Sequence, residues 1–215
     1  DAAATDIMQV MFYLDDYSGS NTYAGDSTFH VTLWGAQMEE GGAASSYIST
    51  ADSPVTRAGD NAVVSDVAWL TQGQGTLLVE AGWNNISDLS FNAYAVALRQ
   101  DVPNFLGIRA ASFTSGNTQT ASTVDGTNQA PLILGGGGHQ GTIRKMAFAY
   151  APDDFAFTIG GAAPATDSAG AVPEGITELH VGQLLAAAGQ INGHVRKLIY
   201  YSTRLPDAQI QEITA

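Results

Sequence analysis

Hydrophobic positions in this chain alternate with small or polar ones over short stretches, and clusters of turn residues separate the stretches. Met146, Phe148 and Tyr150 alternate with Ala147, Ala149 and Ala151; Phe155, Phe157 and Ile159 alternate with Ala156 and Thr158. A period of two sends successive side chains to opposite faces of an extended strand. Pro152-Asp153-Asp154, between the two stretches, is turn chemistry. Together they predict a β-hairpin with its large side chains inward and its small ones outward.

The same rhythm predicts strands over residues 75–81, 105–110, 118–124 and 176–182. Tyr94, Val96 and Leu98 alternate with Ala95, Ala97 and Arg99. Near the end, Val195, Lys197, Ile199 and Tyr201 are predicted on one strand face, and Arg196, Leu198 and Tyr200 on the other. Upstream, the apolar run 7–14 and the alternating run 29–34 read as two further strands. Residues 160–175 form a small-residue loop, and the apolar patch 184–188 fits one helical turn. A helix is predicted only at the end. Pro206 has the φ suited to a first helical position, Asp207 favours the positive helix start, and Ile210 and Ile213 share a face. With no internal repeat, this is the pattern of an all-β, antiparallel sandwich closed by a short C-terminal helix.

Composition agrees and narrows the function. Of 215 residues, 45% are hydrophobic, enough for a real core. Eight Lys and Arg stand against 21 Asp and Glu, a formal net charge of −13. The cations form no long run in sequence, so nucleic acid is not an expected partner. No apolar run approaches the roughly 20 residues that span a bilayer, so no membrane partner is expected. The absence of cysteine removes disulfides, thiolate zinc sites and thiol nucleophiles. The chain begins at Asp1 without a visible signal peptide, and a processed chain or a piece of a longer polypeptide is expected.

Candidate chemistry is sparse. Residues 136–141 match G-x-G-x-x-G, but a strand follows where a dinucleotide site needs a helix, so the segment reads as a flexible turn. His30, His139, His180 and His194 lack metal-site spacing; His139, in its glycine turn, is kept as a ligand-binding candidate. Glycoside hydrolysis needs two carboxyl groups about 5 Å apart in retaining enzymes. Glu174 and Glu178 straddle a strand start, while Glu39-Glu40 and Asp153-Asp154 are adjacent and would diverge on extended backbone. No G-x-S-x-G elbow is present. No enzyme is expected. Sugar binding needs an exposed aromatic and planar amides, which Trp83, Asn84 and Asn85 offer just after a strand; the alternative makes Trp83 a core cap and the asparagines a turn.

Several segments resemble a known family. Gly193-His194-Val195 through Tyr200-Tyr201, followed by Arg204-Leu205 and Ile213-Thr214, is similar to the closing signature of concanavalin A-like (laminin G-type) jelly-roll domains. Gly75-Thr76-Leu77 to Glu80 resembles their opening strand. Trp34-Gly35-Ala36-Gln37-Met38-Glu39-Glu40-Gly41 resembles the ending of a carbohydrate-binding-module-like sandwich in phage virion proteins. Residues 46–50 and 55–60 resemble the linker that follows it, with Ser49 and Gly59 departing from the usual Pro and Ala. Ile159-Gly160-Gly161 stands where the family hairpin ends in V-N-G.

The resemblance implies three segments: 1–45 as the end of an upstream β module, 46–62 as linker, and 63–215 as the jelly roll. It implies a non-enzymatic virion protein, a capsid decoration or tail-fibre component on an extracellular particle. Such a protein docks on other virion proteins through β surfaces and forms a homo-oligomer. The alternative is a glycan-binding, host-recognition module, and a glycan hydrolase ranks below both. Related domains often carry Ca²⁺ at the sandwich rim; Asp125, Asn128, Asp153 and Asp154 are the oxygen donors this chain could contribute.

Overall fold

A computed structural model describes residues 32–38, 46–56, 58–83, 93–110, 118–134, 142–185 and 189–215. The chain divides into two compact units, Asp1–Gln37 and Met38–Ala215. In the first, residues 32–37 carry no regular structure; the predicted strand at 7–14 lies outside the described residues.

The second unit is two stacked antiparallel sheets. The larger contains β1 (Ala62–Val64), β3 (Ala93–Arg99), β4 (Phe105–Ala110), β5 (Thr118–Val124), β6 (Thr127–Asn128), β7 (Ile133–Leu134) and β11 (Glu178–Val181). Its order is β1-β11-β3-β4-β5-β6, with β7 also paired to β5. The smaller contains β2 (Gly75–Trp83), β8 (Arg144–Ala151), β9 (Asp154–Ile159), β10 (Ala165–Asp167) and β12 (Gly193–Tyr201), ordered β10-β9-β8-β2-β12. This is the sandwich the alternation predicts.

The predicted hairpin is β8–β9, in register from Met146↔Ile159 to Ala151↔Asp154. Met146, Phe148, Tyr150, Phe155 and Phe157 fill the space between the sheets together with Leu77, Val79, Leu98 and Ile108. Burial pushes the Tyr150 phenol far above its ordinary value, with Tyr200 adding to the effect, so Tyr150 stays neutral. The small outward residues Ala147, Ala149 and Ala156 make room for the helix α1 (Asp207–Thr214), which lays Ile210 and Ile213 on them and on Leu78. Pro206 stands one position before the helix, where its carbonyl accepts from the N–H groups of Gln209 and Ile210.

Two bulges alter the predicted faces. The β12–β2 register shifts between Val195 and Lys197. Val195, Leu198 and Tyr200 therefore face the core, while Ile199 and Tyr201 lie under the helix. The β3–β4 register shifts between Tyr94 and Val96, so Val96 and Leu98 face inward while Tyr94 and Ala97 face outward. An extra residue in one strand flips the alternation beyond it. The helical turn expected at 184–188 is not seen over Leu184 and Leu185; residues 186–188 lie outside the described set. No helix among the described residues is long and apolar enough to cross a membrane.

Candidate functional site

The outer face of the seven-stranded sheet is built from three rows of side chains set by register. The first row is Gln119, Arg109 and Tyr94. The second is Ala121, Gly107, Ala97 and His180. The third is Asn128, Thr123, Phe105, Arg99 and Glu178. Small residues thus floor the middle row, and polar groups rise on both sides, about 13 Å apart along the strands.

Each polar row is tied down. Arg109 donates from Nη1 to the Tyr94 hydroxyl at 3.2 Å. With the Gln119 amide turned oxygen-first, its Oε1 accepts from Arg109 Nε at 2.7 Å. Burial raises the Tyr94 phenol above its ordinary value, and the nearby Arg109 charge opposes that rise. Tyr94 and Phe105 meet edge to face at 5.7 Å. Leu184 packs on Tyr94, Ala97, Phe105 and Ala121 and closes the floor. What remains accessible is the polar rim: Arg109, Gln119 and Thr123 are half-buried and Asn128 is exposed.

In the third row, Glu178 Oε2 accepts from Arg99 Nη2 and lies 2.9 Å from His180 Nε2. His180 is buried, with 3% of its surface exposed. The hydrogen bonds of His180, then of Arg99, hold the Glu178 carboxyl below its ordinary 4.5. A depressed carboxyl stabilises the fold fully above its ordinary value and loses that contribution as pH falls through the lowered one. The melting-temperature gap between wild type and Glu178→Gln is therefore expected to be widest above pH 4.5 and to close in more acid solution. A gap independent of pH would remove the charge from the account. The effect is small in size, because the Glu178 side chain is 32% exposed and solvent screens the pair.

The residues singled out in sequence fare differently. Trp83 is 1% exposed and belongs to the inter-sheet core, so its ring presents no face on which a sugar could stack. This corrects the surface reading: the last residue of β2 still lies between the sheets. Asn84, Asn85 and His139 lie outside the described residues. Asp125, Asn128, Asp153 and Asp154 do come to one end of the sandwich, where the Asp153 and Asp154 carboxylates and the Asp125 backbone have structural partners. Asp153 Oδ1 accepts from Gly170 N at 2.9 Å, Asp154 Oδ1 meets Arg204 at 2.7 Å, and Asp125 N donates to Asn104 Oδ1 at 2.9 Å. Among the described residues no group of three or more His, Asp or Glu is arranged to hold a metal ion. Sequence reading missed Arg99, Arg109 and Gln119, and set His180 aside for lack of metal-site spacing. The available signal was an arginine closing or interrupting an otherwise apolar strand.

A groove of about 710 Å³ lies elsewhere, between residues 55–62 and the start of β12. Ile48, Val55, Val181, Ile191 and Val195 line it, with Asp60 as its charged member.

No protein-family model matches the chain, and no curated protein matches it by sequence. Solved structures do. The CBM40 of the Ruminococcus gnavus IT-sialidase, bound to α2,3 sialyllactose, is 12% identical with a TM-score of 0.60, over 74% of this chain and 94% of that one. The native heptameric SAP-like pentraxin from Limulus polyphemus is 12% identical with a TM-score of 0.52, over 67% and 70%. The chain is a jelly-roll β-sandwich. At these identities the likeness is one of fold.

Proposed function

We propose that this jelly roll is a non-catalytic glycan-binding module and that the saccharide rests on the polar rim of the outer sheet face. The observation that carries the reading is the fixed guanidinium of Arg109. Tyr94 and Gln119 hold it from two sides, so it meets a sugar hydroxyl or carboxylate without first losing rotamer freedom. Thr123 and Asn128 offer a second polar contact two rows away, a separation that suits an oligosaccharide better than a single sugar. The fold likeness to a sialyllactose-bound carbohydrate-binding module supports this reading over the purely architectural role. The resemblance over 34–60 and 193–214 would place such a module on a virion, recognising host glycans; that setting is part of the proposal.

A glycan array with the intact chain is expected to give hits, with sialyllactose and lactose compared to read the value of the carboxylate. Arg109→Ala is expected to weaken binding about 10- to 100-fold, the scale of a lost hydrogen bond to a charged group. An array without hits would overturn the reading. Hits that Arg109→Ala leaves unchanged would move the site off this face.

A further inference from the structure

The second surface lies on the opposite sheet and does not depend on the glycan reading. Arg144 and Lys145 open β8, and Arg196 and Lys197 lie in β12. Sequence separates these pairs by about fifty residues, yet β8 and β12 both flank β2. Lys145 pairs with Glu80, and Glu80 pairs with Lys197. The lysine backbones therefore stand about 10 Å apart, two strand spacings. The bulge between Val195 and Lys197 adds Arg196 to the cluster, its Nε 3.7 Å from Glu80 Oε2. All four cations are exposed. Three of the chain's eight Lys and Arg, Lys145, Arg196 and Lys197, thus share the outer face around Glu80, where Lys145 Nζ also donates to the Ala215 carbonyl oxygen. Arg144, opposite Ala81, stands exposed at the edge of this cluster, in a molecule whose formal charge is −13.

The other end of the strands has the opposite sign. The turns holding Asp101, Asp125 and Asp153 are joined through side chains and backbone. Asn104 accepts from Asp125 N at 2.9 Å, Gly126 N donates to Pro103 O at 3.0 Å, and Gly170 bridges to Asp153 at 2.9 Å. Gln129, just past β6, accepts from Ala171 N at 3.0 Å and so links the two sheets at this end. Arg204 engages Asp154 and Asp207, while Asp101, Asp125 and Asp153 remain exposed. The eight residues of β8 separate the two ends by about 23 Å.

We propose that the cationic patch of β8 and β12 docks the acidic turn end of a second copy of this chain, head to tail. The contact joins unlike surfaces, so it closes a ring or propagates a filament rather than forming a two-fold dimer. The net negative charge opposes association in general. At about 0.15 M salt, however, charges beyond about 8 Å are screened, whereas the apposed patches act at contact distance.

Sedimentation of the intact chain over a range of concentrations tests this. In about 0.15 M salt the average mass is expected to rise with concentration, and in about 1 M salt to fall to that of the monomer. Arg196→Glu with Lys197→Glu is expected to weaken association at least ~10-fold without unfolding the protein. The neutral pair Arg196→Gln and Lys197→Gln should act in the same direction if the reversed pair fails to fold. Adding Asp101→Lys and Asp125→Lys to the reversed chain should restore association, because both ends have then changed sign. A wild type that stays monomeric at both salts would overturn the proposal. So would association that ignores salt or the patch variants, or patch-dependent retention on immobilised heparin without self-association, which would assign the patch to a polyanion.

Discussion

Trp83→Ala is expected to destabilise the sandwich by about 3–5 kcal/mol, the cost of emptying a large aromatic site in a close-packed core. Domains of this kind hold only about 5–15 kcal/mol in total. The melting temperature should therefore drop by roughly 6–20 °C, at about 2–4 °C per kcal/mol for a domain of this length. The site cannot collapse to recover the loss. Trp83 is 1% exposed, and β12 runs beside it with Gly193 directly opposite. A side chain at Gly193 would stand 2.6 Å from the Trp83 Cα, so the two strands are already in close contact there. Trp83→Phe should cost less, because most of the volume stays filled. An unchanged melt combined with lost saccharide binding would put the ring on the surface and sink the core assignment.

That correction shows which features a sequence can carry. The β8–β9 hairpin was legible because both of its faces are informative: large residues meet the core, and alanines receive α1. The Asp153 turn was legible as a turn from Pro152-Asp153-Asp154, and in the structure Asp125 and Asp153 both adopt positive φ. Their convergence was not legible, because the bonds that join them connect residues far apart in the chain. The bulges at Tyr94–Val96 and Val195–Lys197 have no compositional mark, yet each reassigns the side chains beyond it. The cationic patch depends on the second bulge, and Tyr94 reaches Arg109 because of the first. In sequence, an aromatic beside two amides reads either as a sugar platform or as a core cap. Only the stacking of the two sheets shows that its ring is inside.

Gly107→Ala is expected to be the most damaging single methyl on the outer sheet face, costing about 1–3 kcal/mol or more as overpacking. Gly107 sits in β4 opposite Ala97. An added Cβ would fall within contact of the Val96 carbonyl oxygen and 3.0 Å from the Ala97 Cα. Both are backbone atoms next to the β3 bulge and cannot rotate away. Ala97 and Ala121 on either side are buried, so no lateral space exists either. Relief requires β3 and β4 to part, which disturbs the Tyr94–Arg109 and Arg99–Phe105 pairs flanking the glycine. On the proposed glycan-binding reading, saccharide affinity should therefore fall together with stability. Gly73→Ala separates this from a general glycine effect. Gly73 has open space around it and a φ of +79°, so its substitution should cost only backbone strain and leave binding intact. If Gly107→Ala melted within a degree or two of wild type, at about 2–4 °C per kcal/mol, the floor of the outer face would be wider than its register requires. The rows that hold Arg109 in place would then lose their support.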